Sequence, residues 1–251
     1  MSLEEIIGSV GVFFILISAA FGVMWLCPRL PAHHRDDETN TIVRLIANIF
    51  AIMTSLVFGL MINSSKATYE TIDRNVHSYA TQIILLDRSL RTYGLGAVQA
   101  RQSLKDYLAA AIDAPERANQ APGSRLAEQR LATIGDHLAM LQPADGYHLS
   151  LITEAQRQYR QIVEQRWSIV EQSEGIIPTP LIVMLIAWLT LIFASFGYRA
   201  PFNPVIAGMF VVSSGLVAAS IYLVLDMDIP FAGAIQISDA PLKRALVQLE
   251  L

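Results

Sequence analysis

Four long stretches of this chain carry no charged side chain. Glu5 to Arg29, Arg44 to Lys66, Glu174 to Arg199 and Arg199 to Asp226 enclose uncharged runs of 23, 21, 24 and 26 residues. An α-helix rises about 1.5 Å per residue and the hydrocarbon core of a bilayer is about 30 Å thick, so about 20 apolar residues cross it. All four runs are long enough, and a chain built on them belongs in a membrane. The average agrees, since mean hydropathy is +0.42 and 16% of residues are charged, against about 25% in soluble domains.

The first run is not a secretory leader by its charges, because Glu4 and Glu5 precede it and no Lys or Arg does. Cys27 is the single cysteine, which excludes an intrachain disulfide, and Trp25-Leu26 ahead of it lack the small residues of a lipoprotein site. A formal net charge of −4 gives no reason to expect nucleic acid. The partner implied directly is the lipid bilayer.

Between the runs, proline and glycine mark the breaks. The first helix should cover Ile6 to Cys27 and stop at Pro28. The second should begin near Asn40 or Thr41 and run without proline to Gly94, across the membrane and into water. Its outer half carries Ile72, Val76, Tyr79, Ile83, Leu86, Leu90 and Tyr93 at alternating steps of four and three, an apolar stripe that must pack on something. Ala97 to Asp113, Arg125 to Leu141 and Leu149 to Glu174 read as helices that supply the packing. Thr179 to Tyr198 and Val205 to Leu225 are the last two spans, and Leu242 to Leu251 a terminal helix.

The expected fold is therefore an all-α integral membrane protein with four transmembrane helices and an extramembrane helical bundle between the second and third. Residues 1–63 hold the first two spans, 64–176 the helical domain, 177–226 the last two spans and 227–251 the tail. Four crossings put both termini on the same side. Arg29, Arg35, Arg44 and Arg199 lie at one membrane face and Lys66, Arg74, Arg160, Arg166, Lys243 and Arg244 near the other, so charge counting leaves both orientations open.

Polar groups inside a span are costly in lipid and mark contacts or water paths. In the second span Asn48, Ala51, Ser55, Gly59 and Asn63 recur every three or four residues as a narrow polar and small stripe. One reading is close helix packing; the other is a pore lining repeated around an oligomer. The fourth span has Gly208, Ser213, Ser214, Gly215, Ala218, Ala219 and Ser220, a run suited to close helix contact. It ends on Asp226 and Asp228, where the helix dipole disfavours carboxylates. A cation such as Arg44, Lys66 or Arg199 would compensate them; a cation site or an ion-pathway vestibule is the functional alternative, with Asp226, Asp228 and Lys66 as its candidate residues.

His33, His34, Asp36, Asp37 and Glu38 do not have metal-ligand spacing and read as a solvated loop. His77, His137 and His148 are isolated. No phosphate loop, nucleophile elbow or partnered catalytic carboxylate occurs, so no enzyme, cofactor or metal is expected.

Two stretches carry a family resemblance. Arg44 through Lys66 with Leu85-Leu86-Asp87-Arg88 and Tyr93-Gly94, and Leu225-Asp226 through Asp228-Ile229-Pro230-Phe231-Ala232-Gly233 with Ile237-Ser238 and Pro241-Leu242, resemble the uncharacterised bacterial bestrophin-like family. That resemblance implies a multi-pass protein of the bacterial inner membrane. The layout is also similar to that of bestrophins proper, pentameric anion channels with four membrane helices per subunit. By that likeness the second span is the pore helix, Ile49, Phe50, Met53 and Val57 stand near a hydrophobic constriction, and inorganic ions are the cargo of a homo-oligomer. Only Asp226 and Asp228 follow the last span, so the dense acidic calcium site of bestrophins is not implied. The rival is a membrane sensor or scaffold whose helical bundle binds a partner or ligand.

Overall fold

The computed structural model describes residues 3–31, 36–113, 125–172, 177–229, 231 and 235–250. His33 and His34, the breakers Pro115, Pro122 and Gly123, and Pro230 and Gly233 of the tail motif lie outside them. The described residues form α1 (Leu3–Leu26), a 3₁₀ turn (Cys27–Arg29), α2 (Asp37–Tyr93), a second 3₁₀ turn (Leu95–Ala97), α3 (Val98–Asp113), α4 (Arg125–Ala139), α5 (Gly146–Gln172), α6 (Thr179–Gly197), α7 (Pro204–Asp228) and α8 (Ala240–Glu250), with no strand among them. The part of α1 from Ile7, with α2, α6 and α7, is long and apolar enough to cross a membrane. The chain divides into two units: Met1–Ala67 with Ile176–Asp228, and Thr68–Gly175 with Ile229–Leu251.

In the first unit α1 is the hub. Val12, Leu16, Ala20 and Met24 recur every four residues, and all are buried against Leu185, Leu189 and Phe193 of α6, Phe210, Ile221 and Val224 of α7, and Met61 of α2. At the crossing of α1 and α6 the backbones nearly touch, since a methyl group placed on Gly197 would lie 2.2 Å from the Ala20 carbonyl oxygen. Small residues permit that approach, as expected where helices pack in lipid. The small-residue run of α7 is only partly used this way: Ser214 and Ala218 are buried, while Ser213 and Ala219 are exposed.

α2 starts at Asp37, earlier than the spacing suggests. Asp37 and Glu38 sit in its first turn, where the positive end of the dipole favours them, and the Asn40 amide already donates to the Asp36 carbonyl at 3.1 Å. Across this end of the unit Arg199 Nη1 donates to Asp37 Oδ1 at 2.7 Å. α2 stops where Gly94 takes φ 96°, a conformation glycine adopts freely, and the Gly94 amide closes the last turn on Leu90 and Arg91.

The second unit is a bundle of the outer half of α2 with α3, α4, α5 and α8. Ile72, Val76, Tyr79, Ile83, Leu86 and Leu90 are all buried, with Tyr93 packed at the edge, so the apolar stripe is the core face. Its neighbours include Leu104 and Leu108 of α3, Ile134 and Leu138 of α4, and Ile162 of α5. Polar rungs fix α5 antiparallel to α2: Asn75 bonds Gln172 at 2.9 Å, Ser78 bonds Gln165 at 2.7 Å and Ser89 bonds Gln158 at 2.9 Å. α5 begins at Gly146 rather than at Leu149 because Asp145 caps it, accepting the His148 amide at 2.8 Å. The tail, which the sequence sets apart, contributes Ile237, Ala245 and Leu249 to this same core.

Candidate functional site

The candidate site is the membrane part of α2, residues 44–66, and its geometry follows from helix periodicity. Ala47, Thr54 and Met61, seven residues apart, are buried and define the side turned to the chain's own core. Phe50 and Val57 flank that side: the Phe50 ring lies 6.4 Å from Trp188 of α6, and Val57 packs on the core. The rest of the circumference is open. Ile49, Ile52, Met53, Leu56 and Leu60 are exposed, with Ile52 at 71%.

Arg44, Asn48, Ser55, Gly59 and Lys66 follow one another at steps of four, seven, four and seven, so they share one lane on the helix surface. Asn63 lies beside it. All six are exposed in the chain. The lane is therefore polar along its length with a basic residue at each end, and the chain itself does not cover it. Of the four candidate spans, that of α2 is also the least covered, 17% of its most apolar stretch being buried against 28% in each of the others. Ile49 and Met53 are exposed too, but about 110° and 150° round the helix from the lane; Phe50 and Val57 look toward α6 and the core.

Asp226 and Asp228 are placed differently. Both are buried at the end of α7, which continues three residues past Leu225. The Tyr222 hydroxyl donates to Asp226 Oδ1 at 3.2 Å, and the Ile177 amide, just ahead of α6, donates to Asp228 Oδ2 at 3.1 Å. These bonds offset the dipole cost and join the start of α6 to the end of α7. Of the cations considered as their partners, Arg199 is occupied by Asp37 instead. Among the described residues no group of three or more His, Cys, Asp or Glu could hold a metal ion.

Sequence reasoning missed two arrangements in the helical unit. Asp87, 3% exposed, accepts Arg91 Nε at 2.8 Å and Arg101 Nε at 2.7 Å, and the same arginines donate to the carbonyls of Gln248 at 2.8 Å and Leu249 at 3.3 Å at the end of α8. The signal was present: Asp87 stands four residues after Ile83 and three before Leu90 of the core stripe, so helix periodicity carries it to the buried side. The second is a hydroxyl pair between Tyr79 and Tyr107, both buried. Burial pushes both phenols above their ordinary pKa, Tyr79 well above it with the neighbouring Tyr107 adding to the effect, and the nearby Arg166 guanidinium opposes the shift at both.

The bestrophin-like domain family matches residues 14–242 of the chain. A crystal structure of a bacterial bestrophin homologue from Klebsiella pneumoniae, carrying one substitution, is similar at a TM-score of 0.64 and 12% identity, covering 98% of this chain and 97% of that one. A crystal structure described as a membrane protein variant is similar at a TM-score of 0.65 and 12% identity, covering 99% and 98%. At that identity the two structures speak for the fold. A search of the curated proteins finds none that matches.

Proposed function

We propose, for a chain that belongs to the bestrophin-like family, that copies of it assemble in the bacterial inner membrane around an axis lined by α2 and conduct small anions. The observation that carries this is the exposed lane Arg44, Asn48, Ser55, Gly59 and Lys66 on the least covered of the four spans. Asparagine amides and basic groups facing hydrocarbon are costly, so such a lane belongs against water or against another copy of the protein. Repeated by symmetry, it becomes rings of amide and hydroxyl groups between two basic rings, which favour anions over cations without any catalytic residue. With the lane on the axis, Ile49 and Met53 stand about 110° and 150° round the helix from it and point away from the path, with Phe50 and Val57 farther behind them. Asp226 and Asp228, held inside the chain, position α6 and α7 at the basic end marked by Lys66 and shape the vestibule from behind. Resemblance to bestrophins supports five copies, with both termini on one side.

The test is reconstitution of the full chain into liposomes, with chloride and potassium flux measured beside native mass in detergent. The expected outcome is an oligomer passing chloride in preference to potassium. Arg44→Glu should lower that preference with assembly intact, and Asn48→Leu or Ser55→Leu should reduce flux with assembly intact. Loss of assembly in the leucine variants assigns the lane to helix packing. A tight, monomeric protein removes the channel and favours the sensor or scaffold.

A further inference from the structure

A cavity of about 600 Å³ lies inside the membrane unit between α2, α6 and α7. Its volume falls in the range of about 300–1,000 Å³ typical of small-molecule sites, and its walls fit that class, mostly aliphatic and aromatic with a few hydroxyls. Phe58 of α2, Phe193 and Phe196 of α6 and Phe210 of α7 line it, together with the small Ala51 of α2 and Ser213 of α7. No charged residue is among the lining residues.

Depth identifies the occupant. On α7 the lining residues run from Ile206, two positions past the first residue of the helix, to Ser220, a rise of about 21 Å. On α6 they end at Phe196, next to the helix terminus at Gly197. The groove thus starts at the membrane face marked by the pair Arg199–Asp37 and reaches past the bilayer centre, about 15 Å below the surface. Water does not fill an apolar space at that depth, and hydrocarbon is the surrounding solvent.

We propose that one acyl chain of a bilayer phospholipid from that leaflet occupies the groove and acts as a wedge behind α2. Ala51, Thr54, Ser55 and Phe58 form the α2 wall, and Ser55 also belongs to the polar lane. Occupancy therefore sets how far α2 stands from α6 and α7. This control of conduction rests on the pore reading of α2; the lipid site itself does not.

The test uses the full-length protein washed in detergent and incubated with palmitoyl-oleoyl-phosphatidylglycerol. Native mass spectrometry should find one tightly held phospholipid per chain. Ala51→Phe and Ser213→Phe, which place a ring in the groove, should weaken retention about tenfold or more, whereas Val212→Phe, on the exposed side of α7, should not. A wild-type protein that retains no lipid, or both filling variants retaining it unchanged, overturns the proposal. For wild type alone, retention should rise with acyl length until the groove is filled; independence of length overturns it too. Retained lipid without flux in any liposome removes the pore reading and leaves the lipid site standing.

Discussion

Replacing Asp87 by asparagine keeps the shape of a buried side chain and removes its charge. The wild-type carboxylate accepts three N–H groups, from Arg91 at 2.8 Å and from Arg101 at 2.7 and 3.4 Å. Removing one partner of a buried ion pair costs about 3–5 kcal/mol when the remaining charge is sealed from water. Here the arginine side chains are 36% and 26% exposed, so water recovers part of the loss. A cost of about 2–3 kcal/mol is the expected result. It should appear in a particular place. Both arginines also hold the last carbonyls of α8, so Asp87→Asn should raise hydrogen exchange in α8 and in the facing turns of α2 and α3 before it affects α4. Thermal denaturation of the detergent-solubilised protein, read beside exchange by mass spectrometry, checks both quantities. A change under about 0.5 kcal/mol, the size of an ordinary surface substitution, would refute the reasoning. So would a large loss of stability with α8 protection unchanged.

Tyr107→Phe should cost about 1–3 kcal/mol because it leaves the Tyr79 hydroxyl buried without its partner, and the double variant with Tyr79→Phe should recover part of that; denaturation of the two single variants and the double measures the coupling. Both phenols titrate above their ordinary value of 10.0 in the folded protein. Their contribution to stability is therefore complete below pH 10 and is lost as pH rises through the folded values, since the unfolded chain releases those protons first; an alkaline series of melting temperatures that falls less steeply in the double phenylalanine variant than in the wild type checks the sign, the remaining slope coming in part from Tyr159, whose pKa burial also raises. Gly197→Ala sets a methyl group against the Ala20 carbonyl, a backbone atom that cannot rotate away, and should cost at least the 1–3 kcal/mol typical of overpacking, visible as a lowered melting temperature and yield.

Much of the architecture could be read from the sequence because a bilayer imposes one period and one length. Uncharged runs give the spans, and the alternating three and four steps from Ile72 to Leu90 name the core face of the helical unit residue by residue. What failed was local and electrostatic. Pro143 and Gly146 looked like a break lasting to Leu149, but Asp145 supplies a cap and α5 starts three residues sooner. α7 also runs on past Leu225 to Asp228, where the Tyr222 hydroxyl and the Ile177 amide ahead of α6 each donate to one of the two carboxylates. Neither partner is visible in a pattern of charges, because each depends on which chain ends meet.

The same limit explains why the polar lane was legible and its purpose was not. Steps of four and seven place Asn48, Ser55 and Gly59 on one line whether that line faces a helix or water. The structure adds that the chain's own core lies on another side, the one marked by Ala47, Thr54 and Met61, and leaves the lane exposed. For Asn48 and Gly59, which line no groove within the chain, what remains is packing between subunits or contact with water, whereas Ser55 also borders the groove shared with α6 and α7. The two differ in the fate of a leucine at Asn48: between subunits it disturbs a close fit and costs assembly, whereas in a water path it leaves assembly alone and narrows or dries the passage.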